Sequence, residues 1–178
     1  MIVVFLANGF EEIEALATVD VLRRADLSVL TVGVGGKTIV GAHGIVVTAD
    51  CADDEPLPNE IEAVVLPGGL PGTTNLEASA VVQRYIEQAV EQKAVLGAIC
   101  AAPSVLGHKG LLRGKRATCY PGYEEDLLGA TCTGESVVID GNIVTAKGAG
   151  VSVDFGLAMV SVLVSPDKAA DLKEKMQC

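Results

Sequence analysis

One cysteine stands where a strand pattern gives way to a helix pattern. The apolar run A-V-L-G-A-I precedes Cys100, and A-A-P-S-V-L follows it, with Pro103 in a position that suits the first turn of a helix. A thiol at such a tight turn faces the positive end of a helix dipole, which favours the nucleophilic thiolate. Cys100 is therefore a candidate nucleophile, and a buried, inert cysteine is the alternative.

An acidic residue interrupts the apolar face of the first predicted helix. At the α-helical period Glu14 shares a face with Phe10 and Val21, whereas Glu12 points away from that face. Desolvation should raise the pKa of a carboxyl placed there, so that Glu14 could donate or shuttle a proton. The alternative is an acid that caps the helix, a role that Glu11 or Glu12 also suits.

Two glycine-containing turns could bring backbone N–H groups close to a small ligand. Gly68 and Gly69 in L-P-G-G (66–69) would allow the close approach that an oxyanion hole requires, although the same sequence also makes ordinary turns. The turn K-G-A-G (147–150) could cradle an anion. It does not match the dinucleotide-binding fingerprint, and we interpret it as a packing turn.

The segments that carry these residues, 8–14, 66–69 and 99–103, contain no Lys, Arg or His. Because two negative charges would repel in a poorly solvated pocket, Glu14 and Cys100 should share one proton and titrate together. We expect a protonated Glu14 that donates to a Cys100 thiolate, which would lower the apparent pKa of the cysteine.

The remaining cysteines and the histidines favour neither a metal nor a disulfide framework. Five scattered cysteines without a C-x-x-C pair are typical of a reduced, cytoplasmic protein. His43 and His108 lie far apart in the sequence and away from other ligands, so no metal site and no cofactor are expected. His43 belongs to a hairpin that could overhang the strand ends and line a substrate pocket.

The elements that must position these residues follow an alternation of β-rich apolar runs and helical patterns, which predicts βαβ units. The expected fold is a flavodoxin-like, doubly wound α/β fold: a mostly parallel sheet sandwiched between helices, with β-hairpin excursions at 36–49 and 134–145. Core strands are predicted near 1–7, 27–34, 61–66, 94–99 and 143–147, and helices near 11–25, 79–92, 101–107, 151–164 and 167–176.

The length, the net charge and the apolar stretches of the chain argue against some classes of partner. The 178 residues fit one domain, 1–178, and their net charge of -10 disfavours binding to nucleic-acid phosphates. The longest apolar stretch, 151–164, is too short to span a bilayer, and the first ten residues lack the basic region of a secretory signal. We therefore expect no nucleic-acid partner and no membrane partner.

Four motifs together resemble the ThiJ/PfpI superfamily, and within it the branch of the parkinsonism-associated deglycase. They are A-N-G-F-E-E-I-E at 7–14, V-V-L-P-G-G at 64–69, A-I-C-A-A-P at 98–103 and A-K-G-A-G at 146–150, and their order and spacing cover essentially the whole chain. The resemblance implies a flavodoxin-like sandwich, usually a homodimer, with a reactive cysteine at a strained nucleophile elbow.

The resemblance also implies residue roles. Cys100 matches the nucleophile and Glu14 the carboxylic acid that hydrogen-bonds it, while Gly69 and Ala101 match the residues whose N–H groups face the cysteine. Ala101 stands where PfpI-type peptidases carry a catalytic His, which argues against peptidase activity. Tyr120 stands where this branch often has a pocket His, and a phenol does not readily exchange protons near neutral pH.

The function expected from this resemblance is cofactor-independent glyoxalase or deglycase activity on methylglyoxal-type 2-oxoaldehydes or glycated adducts. The Cys100 thiolate would attack the aldehyde, and Glu14 would shuttle the proton. One alternative is a non-catalytic sensor of oxidative stress, acting through a Cys100 sulfinic acid. A weaker alternative is amidase-like hydrolysis, by analogy with relatives of the fold.

Overall fold

The apolar runs of the sequence become the strands of a seven-stranded sheet with helices on both faces. The computed structural model describes all residues, 1–178. In chain order the elements are β1 (Ile2–Leu6), α1 (Glu12–Arg24), β2 (Val29–Gly33), β3 (Thr38–Val40), β4 (Val46–Thr48), β5 (Cys51–Ala52), β6 (Ala63–Leu66), α2 (Gly72–Ala78), α3 (Ala80–Gln92), β7 (Val95–Ile99), α4 (Pro103–His108), β8 (Arg116–Ala117), β9 (Thr131–Cys132), β10 (Val137–Asp140), β11 (Ile143–Ala146), α5 (Ser152–Leu163) and α6 (Pro166–Met176).

The strand order in the sheet is β10-β11-β7-β6-β1-β2-β5, and only β10 runs antiparallel to its neighbour. Along the chain, β2 and β5 follow on one side of β1, and β6, β7, β10 and β11 then lie on its other side. The order therefore reverses between β1 and β6, and the carboxyl ends of strands at such a switch point form a crevice. The segments that follow β1, β6 and β7 all begin at this edge of the sheet.

Two hydrophobic cores lie on the two faces of the sheet. Helices α1, α5 and α6 cover one face, where Phe10, Val21 and Phe155 are fully buried. Helices α2, α3 and α4 cover the other, where Leu76 and Ile86 are fully buried. The strands β1, β6 and β7 are buried along their whole length, which explains their continuous apolar sequence.

The flavodoxin-like fold class, the five predicted core strands and the five predicted helices are confirmed, and so are both hairpins. The first hairpin, β3–β4, stands outside the main sheet, and the second is β10–β11 at its edge. None of the helices combines the length and the apolar character needed to cross a bilayer.

Candidate active site

Cys100 sits on a strained turn between β7 and α4. Its backbone φ is 64°, a left-handed conformation that non-glycine residues rarely adopt. Two hydrogen bonds hold the turn: the Cys100 N–H donates to the Ala146 carbonyl at 2.9 Å, and the Tyr120 N–H donates to the Cys100 carbonyl at 2.8 Å. The half-buried side chain is thus fixed at the carboxyl end of β7, the strand next to the switch point between β1 and β6.

Glu14 enters the same place from the first turn of α1. Glu11 caps that helix, because its carboxylate accepts a hydrogen bond from the Glu14 N–H at 2.7 Å, so the capping role belongs to Glu11. The Glu14 side chain is only 1% exposed, as its place on the apolar face predicts. Its Oε2 accepts from the Gly68 N–H at 2.8 Å, whereas Oε1 is buried without a hydrogen-bond partner.

The turn after β6 brings the carboxyl and the thiol together. A Cβ at Gly68 would lie 2.6 Å from the Cys100 Cβ and 2.7 Å from Glu14 Oε2, so only glycine leaves room for both side chains. Gly69 follows with a φ of 88°. Its backbone N–H and that of Ala101 both act on the Cys100 thiol and lower its pKa.

Burial governs the ionisation of the pair. Desolvation raises the pKa of Glu14 to about 7, against the weaker, lowering effects of the nearby Cys100 thiol and of the Gly68 N–H. Desolvation, together with the charge of an ionised Glu14, raises the pKa of Cys100 to about 12. The pair therefore holds one negative charge over a wide range of pH.

The expectation that Glu14 lowers the pKa of Cys100 is wrong. That expectation assumed that Glu14 is protonated and that the helix dipole strongly stabilises the Cys100 thiolate. In the structure the thiol is largely shielded from solvent, and an ionised Glu14 repels a second negative charge beside it, so both effects raise the pKa of Cys100. Only the backbone N–H groups of Ala101 and Gly69 lower the pKa of Cys100.

His43 forms its hydrogen bonds with Glu12. Both its backbone N–H (2.7 Å) and its Nδ1 (2.8 Å) contact the Glu12 carboxylate, which holds the pKa of Glu12 below its usual range despite burial. Although the helical period places Glu12 off the apolar face of α1, its side chain is only 3% exposed, because the β3–β4 hairpin covers it. A helical wheel cannot show this, since the hairpin is remote in sequence.

The fold also brings His43 close to two acids, which the sequence did not indicate. Potential ligand atoms of Glu11, Glu12 and His43 lie within 4.8 Å of one another. Their hydrogen bonds account for this grouping, because Glu12 is bound by His43 and Glu11 caps α1. We assign no metal to it. The other histidine, His108, contacts acids on the surface, so neither histidine is available as a base for Cys100.

Tyr120 borders a cavity next to the elbow. The cavity measures about 330 Å³ and is lined by Tyr120, Pro121 and the turn Lys147–Val151. The Tyr120 ring packs over this turn, since a Cβ at Gly148 would lie 3.4 Å from its Cδ2. The motif K-G-A-G alone predicts a packing turn. The structure shows that this motif also contributes the cation Lys147 to the lining of the cavity.

Comparisons with known proteins agree with this geometry. The sequence profile of the DJ-1/PfpI family matches residues 1–162. The Arabidopsis thaliana protein named Protein DJ-1 homolog B is 35% identical over 175 residues, which are 97% of this chain and 40% of that protein. This chain thus spans about two fifths of that relative's length.

Two further proteins match over most of both chains. The Caenorhabditis elegans protein named Glutathione-independent glyoxalase DJR-1.2 is 32% identical over 164 residues, which are 91% of this chain and 87% of that protein. The crystal structure of Drosophila melanogaster DJ-1beta matches with a TM-score of 0.92 at 30% identity, covering 99% of this chain and 96% of that one. The matched region includes every element that positions Cys100 and Glu14, and the chain belongs to the DJ-1/PfpI family.

Proposed function

We propose that this protein converts small 2-oxoaldehydes of the methylglyoxal type, or their glycated adducts, into 2-hydroxy acids without a cofactor. The observation that carries this proposal is the convergence of Cys100 with one buried carboxyl. Glu14 has a pKa of about 7 and one oxygen without a partner, so it can both give and take a proton near neutral pH. A relative that is named a glutathione-independent glyoxalase supports the same activity.

The reaction begins with the tautomer in which Glu14 holds the shared proton and Cys100 carries the charge. The thiolate adds to the aldehyde carbon, and the new oxyanion is held by the N–H groups of Gly69 and Ala101. Glu14 then protonates that oxygen and becomes a carboxylate.

Proton transfer between the two substrate carbons follows. The Glu14 carboxylate removes the proton from the former aldehyde carbon to give an enediolate and returns it to the adjacent carbon, while the hydroxyl proton of the hemithioacetal moves to the oxygen of that adjacent carbon. The product is a thioester of the 2-hydroxy acid. Water hydrolyses this thioester, so that the thiol is restored and no oxidant or reductant is consumed.

Because Glu14 Oε2 accepts from the Gly68 N–H, we place the proton of the neutral carboxyl on Oε1. Oε1 is also the oxygen without a partner, which leaves it free to serve the substrate. This division of the carboxyl assigns one oxygen to positioning and the other to proton transfer.

The direct test is lactate formation from methylglyoxal in the absence of glutathione. The wild type should produce lactate, and Cys100→Ala should produce none above the uncatalysed rate. Wild-type turnover equal to that of Cys100→Ala would remove the proposal.

A second candidate function, oxidative sensing through a Cys100 sulfinic acid, uses the same unpartnered oxygen. A protonated Glu14 Oε1 could donate to a sulfinate oxygen and stabilise it. Graded peroxide followed by peptide mass spectrometry tests this. Addition of two oxygens at Cys100 before oxidation of the exposed Cys178 supports sensing, and the reverse order argues against it.

Three further features belong to this proposal. We propose that residues 1–178 work as one domain, because α6 packs on α5 and the two helices share one core. The five free cysteines suit the reducing cytoplasm. A homodimer is proposed from the exposed apolar residues on α1 and the β3–β4 hairpin.

A further inference from the structure

The cavity beside Tyr120 has one charged residue in its lining, and that residue is a cation. Apart from Lys147, its lining is Tyr120, Pro121 and four uncharged residues of the 148–151 turn. The chain as a whole carries a net charge of -10, so a cavity with a cation and no acid departs from the rest of the surface.

Lys147 is also without a salt-bridge partner. The nearby cations Lys115 and Arg116 pair with Asp140 and Glu135. Lys147 uses its backbone N–H to bond the Ser136 carbonyl at 3.1 Å and leaves its exposed side chain unpaired. An unpaired ammonium in a cavity is available to an anionic ligand.

Backbone hydrogen bonds connect Cys100 to Tyr120, which lines the cavity, and to Ala146, which precedes the lining residue Lys147. The Cys100 N–H donates to the Ala146 carbonyl, next to Lys147, and the Cys100 carbonyl accepts from the Tyr120 N–H. A substrate whose aldehyde reaches Cys100 would therefore place the rest of its chain toward this cavity. Its volume of about 330 Å³ lies within the range of small-ligand pockets.

We propose that Lys147 is a specificity-determining residue, which selects 2-oxoaldehydes that carry a carboxylate or another anionic group beyond the ketone. This inference rests on the proposed function, because it names the substrate class of the same site. Methylglyoxal would then be the minimal substrate, which fills the site at Cys100 but leaves the cavity empty.

The probe is 4,5-dioxopentanoate, a 2-oxoaldehyde with a terminal carboxylate, and its methyl ester is the uncharged match. Addition of one water to the acid gives 2-hydroxyglutarate, so the reaction needs no other reactant. For Lys147→Gln we expect kcat/KM toward 4,5-dioxopentanoate to fall about fivefold through KM, the upper range for one exposed ion pair. Turnover of the methyl ester and of methylglyoxal should stay within about twofold.

The control is Lys93→Gln, which removes an exposed lysine at the opposite end of β7 from Cys100. It makes the same change in net charge and should leave all three substrates unaffected. An equal loss for charged and uncharged substrates in Lys147→Gln would indicate a structural role and overturn the proposal.

A second measurement does not depend on turnover. Iodoacetate and iodoacetamide alkylate a thiolate by the same reaction and differ in charge, so the ratio of their rates at Cys100 reports the local potential. Lys147→Gln should lower this ratio about threefold, and Lys93→Gln should not change it.

The two measurements separate the possible failures. If methylglyoxal is converted but neither the ratio nor the preference for 4,5-dioxopentanoate changes in Lys147→Gln, the anion preference is wrong and the proposed function stands. If no 2-oxoaldehyde is converted, the proposed function fails. A lower ratio would then still support anion recognition by Lys147, and an unchanged ratio would overturn it.

Discussion

A single negative charge shared by two side chains defines the chemistry of this site at the scale of the residue. Burial and, after it, the charge of an ionised Glu14 raise the pKa of Cys100 to about 12, so the carboxylate and the thiolate do not coexist at moderate pH. The reactive form is the minor arrangement in which the carboxyl keeps the proton. Glu14 therefore limits the reactivity of the thiol while it supplies the proton transfer that turnover needs.

This competition predicts opposite effects of Glu14→Gln on reactivity and on turnover. The amide can still accept from the Gly68 N–H and donate to the sulfur, but it cannot take the negative charge. Cys100 should thus be alkylated faster by iodoacetamide than in the wild type between about pH 8 and about pH 10, while conversion of methylglyoxal falls at least about a hundredfold. Alkylation rates against pH and lactate assays measure both.

Glu91→Gln is the matched control, because it removes the charge of an exposed carboxylate on α3. It should leave both measurements at wild-type values. Identical alkylation profiles in Glu14→Gln and in the wild type would show that Glu14 does not set the ionisation of the thiol.

The raised pKa of Glu14 also predicts how stability depends on pH. In the folded protein the carboxyl keeps its proton up to a pH of about 7, whereas in the unfolded chain it loses the proton near 4.5. The unfolded state therefore ionises first. The raised pKa of Glu14 contributes to the stability of the folded state in full below pH 4.5, and this contribution is lost as the pH rises from 4.5 to about 7.

Urea unfolding of the wild type and of Glu14→Gln across this range provides the measurement. Since Gln does not titrate, the free energy of unfolding of the wild type relative to Glu14→Gln should fall by on the order of 3 kcal/mol between the two ends. A constant difference across the range would mean that Glu14 has the same pKa in both states.

At the scale of the element, the sequence predicts those parts that depend on local patterns. Continuous apolar runs between turns indicate the core strands, because both faces of a parallel sheet are buried. Helix α2 was not predicted. Its sequence G-T-T-N-L-E-A begins with residues of low helix propensity and has no side-chain cap, so the packing of the buried Leu76 stabilises it.

The site was predictable where its residues break a local pattern, as Glu14 does on an apolar helix face and Cys100 does between strand and helix. Glu12 and Lys147 break no such pattern. The environment of Glu12 depends on a hairpin about thirty residues away, and that of Lys147 on the ring of Tyr120. Contacts of this range follow from the fold and not from sequence periodicity.

The turn after β6 provides a test at this scale. Gly68→Ala places a methyl group 2.6 Å from the Cys100 Cβ and 2.9 Å from the Ile99 carbonyl oxygen, so the elbow must shift. We expect a loss of about 1 to 3 kcal/mol in the free energy of unfolding and loss of conversion of methylglyoxal. Gly150→Ala is the stability control, because a Cβ there has no neighbour within 4 Å. Equal stability of the two variants would contradict this account of the turn.

At the scale of the whole molecule, one face of the surface is apolar and adjoins the site. Ile13 on α1 and Ile45 beside the hairpin are 58% and 54% exposed and line the same shallow pocket with His43. Val46 on β4 is 60% exposed. Hydrogen bonds from His43 to Glu12 join the hairpin to α1, so that these side chains belong to one surface at the start of α1.

An apolar surface of this kind on a chain with a charge of -10 is expected to pair with a second copy, since burying it offsets the repulsion between two acidic chains. Light scattering should give twice the chain mass of 18.3 kDa at micromolar concentrations. Ile13→Glu together with Val46→Glu places charges in the buried contact and should give the mass of one chain. Val90→Glu is the control, because Val90 is 45% exposed on α3, which packs on the opposite face of the sheet. A wild-type mass of one chain at every concentration would contradict the dimer, and dissociation by Val90→Glu alone would place its interface elsewhere.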